Sequence, residues 1–132
     1  MIGIDTNVLV RYVTQDDSVQ APIARRFIEK TISAERPGHV SLVTLAEFVW
    51  VLRTRYNASR DEIVTAVEEL LADPRLIVQD ENAVWRAVDD YDFDSVDFAD
   101  ALIAAVNREH GCSHTVTFDK AAAKIEGLAL LQ

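Results

Sequence analysis

At 132 residues, with 49% hydrophobic residues and a mean hydropathy near zero, the chain fits one globular domain with a proper core and leaves no room for a second. Its longest apolar stretches, such as Ala101 to Val106, fall well short of the ~20 residues of a membrane span, and Met1 leads into a strand rather than a signal peptide, so the expected setting is cytoplasmic without membrane contact. The single cysteine, Cys112, excludes an internal disulfide and a multi-cysteine zinc site, and a formal charge of −9 argues against broad attraction to nucleic acid, which Lys and Arg drive.

The chain opens with a predicted strand over Ile2–Asp5 and a helix over Thr6–Val13. Asp5 therefore stands where a strand stops and a helix starts, placed either to cap that helix or to point off a sheet edge. Val19–Ile32 reads as the second helix, and after Pro37-Gly38 a second strand runs over His39–Leu42. In the helix Thr44–Tyr56, residues Leu45, Phe48, Val49, Leu52 and Tyr56 recur at spacings of three and four and form a sheet-facing stripe. Glu47 lies opposite that stripe, while Trp50 and Val51 point elsewhere and need cover from a neighbouring helix or a partner subunit. Ser59 followed by Glu62 forms a capping-box pattern at the start of the helix Arg60–Ala72, and Asp73-Pro74 punctuates the approach to a strand over Leu76–Gln79. Helices follow over Asn82–Tyr91 and Asp97–Glu109, the latter closed by Gly111. A strand over Thr115–Phe118, a helix over Lys120–Ile125 and a terminal strand over Leu128–Leu131 complete the chain. Strands alternating with helices predict an α/β fold with a parallel sheet of four or five strands.

The acids are unevenly placed. Asp89, Asp90, Asp92, Asp94, Asp97 and Asp100 crowd one stretch, whereas Arg25, Arg26, Lys30, Arg53, Arg55 and Arg60 concentrate elsewhere. Asp100 is the only polar side chain between Phe98 and Val106, and an ionised carboxylate there is costly unless a partner or a metal compensates it. At about 100° per residue it shares a face with Asp97 and Ala104, and small Ala101 and Ala104 leave space beside it. Asp97 equally suits a helix-start acid favoured by the macrodipole. Ligands of open α/β sheets gather outside the carboxyl ends of strands, where Asp5 and Asp119 are both predicted to sit. Glu47 alone reads equally well as an ordinary exposed acid. Together these four carboxylates with apolar neighbours call for a common cation.

Two further signals point away from chemistry. His110-Gly111-Cys112-Ser113-His114 packs several potential ligands, but its context is a helix-to-strand turn with no second Cys/His cluster. Trp50, Trp85, Phe27 and Phe48 are assigned to packing or to a dimer contact rather than to base stacking.

Asp5-Thr6-Asn7 after a starting strand, Glu47 in an early apolar helix, Asp97-Phe98-Ala99-Asp100-Ala101-Leu102-Ile103-Ala104-Ala105 and then Thr117-Phe118-Asp119 resemble a PIN domain. Their order, spacing and total length are similar to the VapC-type toxins of bacterial toxin-antitoxin pairs. The resemblance implies a three-layer α/β/α domain acting as a Mg²⁺- or Mn²⁺-dependent endoribonuclease, with Asp5, Glu47, Asp100 and Asp119 as catalytic metal ligands. It makes Asp97 an auxiliary acid, and Asn7 and Thr117 polar neighbours that orient a carboxylate or water. It also implies RNA as substrate and an antitoxin protein as partner, while the apolar surface at Trp50 and Val51 is what points to a homodimer. Because an acidic site repels RNA, cations must hold the substrate at its rim, and Arg11, Arg25, Arg26 and Arg53 are the candidates. A protein-binding module with the same acidic pocket is the alternative. An aspartate-based phosphoryl-transfer or receiver domain fits less well, since Asn7 stands where a second aspartate would be wanted.

Overall fold

The computed structural model describes residues 1–94 and 96–132, the Asp94 side chain excepted, so the charge expected at Asp94 lies outside the described residues. The chain forms two compact units, Met1–Gln79 and Asp80–Gln132.

The first unit runs β1 (Ile2–Gly3), α1 (Thr6–Thr14), α2 (Gln20–Arg26) with a π-helical turn at Phe27–Thr31, β2 (Gly38–Val40), α3 (Leu42–Arg55), α4 (Arg60–Ala72) and β3 (Leu76–Val78). Its three strands are parallel in the order β1-β2-β3, with Gly3 opposite His39 and His39 opposite Ile77. Leu9, Ile28, Val40, Leu45, Phe48, Ile63 and Val67 form its fully buried centre. The stripe expected on α3 is buried at Leu45, Phe48, Val49 and Leu52, with Tyr56 half-buried. At α4 the Ser59 hydroxyl accepts from the Glu62 N–H at 3.1 Å and the Glu62 carboxylate accepts from the Ser59 N–H at 2.9 Å, which fixes the helix start where the sequence placed it. Arg75 pairs with Asp73 at 2.7 Å and holds that carboxyl below the usual range, while the Arg75 carbonyl accepts from the Gly38 N–H at 2.9 Å.

Gly38 is the tightest point of this sheet. A Cβ there would collide with the Ile4 side chain and come within 3.2 Å of Ile32 Cδ1. Overpacking of this kind costs about 1–3 kcal/mol, so Gly38→Ala is expected to lower the urea midpoint without changing the slope of the transition. An unaltered midpoint would show that the sheet has slack here.

The second unit runs α5 (Glu81–Asp94), α6 (Phe98–Glu109), β4 (Thr115–Thr117), a 3₁₀ turn at Ala122–Lys124 and β5 (Leu128–Leu130). β4 and β5 pair in parallel, Thr115 opposite Leu128 and Thr117 opposite Leu130. Helices α5 and α6 pack against each other with Tyr91 edge-on to Phe98 at 5.6 Å, and Ala83, Ala87, Ala101 and Ala105 on them are buried. Gly111, at φ +90°, closes α6, and Cys112 is exposed, so the His110–His114 segment is the turn that was expected. Arg86 and Arg108 reach Glu126 at 2.8 and 3.8 Å and fasten the segment before β5.

Five short parallel strands among helices make the fold α/β, with the strands paired as three and two. The strand predictions ran one or two residues long at their carboxyl ends. Three other expectations change. The Val19–Ile32 helix starts at Gln20, because the Asp17 carboxylate accepts from the Val19 and Gln20 N–H groups, and it widens into the π turn from Phe27. The Lys120–Ile125 helix shrinks to Ala122–Lys124, since so short a segment seldom sustains α-helical nucleation. Ala101 and Ala104, at 0% and 4% exposure, are used for packing instead of leaving space beside Asp100. No helix among the described residues is long and apolar enough to cross a membrane.

Candidate functional site

In the first unit, Ile4 is buried and its N–H donates to the His39 carbonyl at 3.0 Å, which turns the next residue outward. Asp5 thus becomes the exposed N-cap of α1, with Oδ1 accepting from the Thr6 N–H at 2.9 Å. Its capping role and an outward-facing carboxylate coexist, because one oxygen suffices for the cap. Glu47 is exposed on α3, away from the buried stripe. Asp5 and Glu47 line one cavity of about 500 Å³, with Asn7 and Arg11 from α1 and Trp50, Arg55 and Tyr56 from the α3 side.

Arg11 is tied down within this cavity. It donates to Gln20 at 2.8 Å and to the Tyr56 hydroxyl at 3.2 Å, and it pairs with Asp16 at 3.7 Å and Asp17 at 3.9 Å. The Thr14 hydroxyl, ahead of other contacts, holds Asp16 below the usual carboxylate range, and the Gln20 and Val19 N–H groups do the same for Asp17.

In the second unit three acids gather around the start of α6. Asp97 is the N-cap, its Oδ1 accepting from the N–H groups of Ala99 at 2.9 Å and Asp100 at 3.3 Å. Asp119 accepts from the Ala121 N–H at 2.8 Å and the Ala122 N–H at 3.2 Å, and its own N–H donates to the Thr117 hydroxyl at 3.1 Å. Thr117 therefore sets the turn that carries Asp119. Burial, followed by the negative charges of Asp97 and Asp119, pushes the Asp100 carboxyl above the ordinary aspartate range. Among the described residues, no three His, Cys, Asp or Glu side chains form a group that could hold a metal ion.

The rim arginines separate. Arg25, paired with Glu29 at 3.3 Å, and Arg26 line a different cavity of about 440 Å³ with Gln15, Glu29 and Lys30. Arg53 is exposed but does not line the Asp5–Glu47 cavity, whereas Arg55 does. Helical phase explains the exchange: Arg55 lies roughly 80° round α3 from Glu47, Arg53 roughly 120° the other way. Of the aromatics assigned to packing, Phe48 is fully buried and Phe27 half-buried, but Trp50 is 50% exposed on the cavity and Trp85 is 37% exposed. The position of Trp50, three residues after Glu47, was the available signal. Asp16, Arg55 and Tyr56 also line this cavity, although the sequence did not place them at the site.

The family model described as PIN domain matches residues 2–128, and so spans both units. No curated protein matches the chain.

Proposed function

Because the chain belongs to the PIN domain family, generally a nuclease fold, we propose that it is a metal-dependent endoribonuclease, the toxin of a VapC-type toxin-antitoxin pair, working in the cytoplasm as a single domain. The observation that carries the reading is Asp100, a carboxylate partly desolvated in an apolar helix start and pushed upward by two further acids. A group in that position is relieved by a cation. The donor set fits Mg²⁺ or Mn²⁺, because it consists of hard carboxylate oxygens and Mg²⁺ retains several waters while taking one or two carboxylates directly. Asp5, Glu47, Asp100 and Asp119 are the acids proposed for the ion, one or two of them directly and the others through its waters. Once bound, it would make the attacking water more acidic and offset charge on the phosphate and the leaving oxygen.

The chain's own side chains have separate tasks in this reading. Asp97 fixes the first turn of α6 and adds negative charge beside Asp100. Thr117 sets the Asp119 backbone, and Asn7 lines the cavity next to Asp5 as a polar neighbour for water or substrate. Arg11 and Arg55 supply cations on the same cavity, while Arg25, Arg26 and Arg53 would meet RNA farther from the acids. The partners proposed are RNA, a second copy of the chain and an antitoxin that offers a basic side chain to the acids.

The deciding experiment incubates purified protein with total RNA and Mg²⁺ or Mn²⁺ and sequences the new 5′ ends. Discrete metal-dependent cuts bearing 5′-phosphates are expected. An active-site titration showing intact metal binding but no cut in any RNA would remove the enzyme reading. Co-purification with the product of an adjacent gene tests the antitoxin, and light scattering tests the dimer.

A further inference from the structure

The cavity beside Asp5 and Glu47 carries a feature that metal binding does not use. Trp50 and Arg55 lie on its α3 wall, one and a bit turns apart, together with the acid at Glu47. Trp50 leaves half of its surface uncovered on the cavity, whereas Leu45, Phe48, Val49 and Leu52 of α3 are buried in the core. Arg55 contrasts with Arg11 across the cavity: Arg11 has two carboxylates and two further polar partners, whereas no carboxylate among the described residues pairs with Arg55. An uncovered indole face and an uncommitted guanidinium lining one cavity with carboxylates are groups that together can take one nucleotide. The indole offers a stacking plane to a base of any identity, and the guanidinium offers a planar fork to a phosphate. The volume, about 500 Å³, is of the size that small-ligand pockets have.

We propose that Trp50 and Arg55 form a subsite for an unpaired nucleotide of the RNA, its base stacked on Trp50 and its phosphate held by Arg55. A base that stacks there has left its helix, so the subsite selects single-stranded segments or loops over continuous duplex. The inference rests on the ribonuclease reading for the identity of the ligand, but not on turnover. Trp50 is a specificity determinant, and the metal-holding acids are not altered by its replacement.

The test is a binding measurement that does not require cleavage. The chain has two tryptophans, so Trp85→Phe makes Trp50 the only indole reporter, and Asp100→Asn in the same protein prevents turnover. Titration with a single-stranded hexaribonucleotide is expected to quench Trp50 emission in a saturable way. A hexamer with the same phosphates but abasic sugars is expected to bind at least about tenfold more weakly and to leave the emission unchanged. Arg55→Gln should weaken the intact hexamer by a similar factor while preserving the quench at saturation. Equal quenching by both hexamers, or no change in emission with RNA bound, overturns the subsite. So does a Trp50 emission that depends on protein concentration and ignores RNA, which would place the indole in a contact between copies. Failure of the wild-type chain to cut RNA would remove the nuclease reading and leave this fluorescence result standing on its own.

Discussion

Asp5→Asn is expected to lower RNA cleavage by about 10²-fold or more while leaving the melting temperature almost unchanged. The two effects separate because of what each oxygen does. Asp5 caps α1 by accepting from the Thr6 N–H, and asparagine caps a helix as well as aspartate. The substitution removes negative charge and keeps an acceptor at the same place. Asp5→Ala would confound the two, since loss of a cap alone costs roughly 1 kcal/mol. Cleavage rates and thermal melts of the asparagine variant, measured side by side, settle the point. A variant that cuts RNA as fast as the wild type would take Asp5 out of the site.

The second large effect concerns Asp100. Saturating Mg²⁺ or Mn²⁺ is expected to raise the single melting transition by on the order of 10 °C at a hundredfold excess over the dissociation constant, and Asp100→Asn to abolish most of that gain. In metal-free buffer the same variant should melt at or above the wild type, because it deletes a charge that burial and two neighbouring acids disfavour. The sign with pH follows. The folded-state value of Asp100 is raised above the unfolded one, so its ionisation costs stability increasingly as pH climbs from near the ordinary aspartate range through the folded value. Metal removes this cost and competes with protons, so the metal-induced rise should be larger at neutral pH than in mild acid. Equal rises at both, or a full rise in Asp100→Asn, would dissociate Asp100 from the cation. Two resolved transitions would count against one cooperative domain.

Much of the fold was legible where local chemistry is self-contained. The capping box at Ser59 and Glu62 fixed α4 to the residue, Gly111 marked the end of α6, and the stripe through Leu45, Phe48 and Leu52 named the buried face of α3. The extents of helices without such signals were harder to read. Asp17 begins α2 from three residues upstream of Gln20, and a short run after Asp119 is satisfied by a 3₁₀ turn. The candidate acids stood out because a charge among apolar neighbours is conspicuous in one dimension. Their surroundings did not. Arg53 and Arg55 look equivalent in a count of basic residues, and only rotation about α3 puts Arg55 on the cavity. Trp50 was read as lying off the buried stripe and was assigned to packing or a dimer contact, and half of its surface is exposed on the cavity.

The tethering of Arg11 has a consequence for how RNA affinity responds to ionic strength. A phosphate reaching Arg11 must displace Asp16 and Asp17, which stand 3.7 and 3.9 Å from it, so the event exchanges one anion for another. Few condensed counterions leave the RNA on its account. An arginine free of such partners contributes a slope of about −0.7 in log K against log salt on single strands. Removing Arg55 should therefore flatten that plot by nearly this amount, and removing Arg11 by distinctly less, even where the two losses of affinity at one salt concentration are alike.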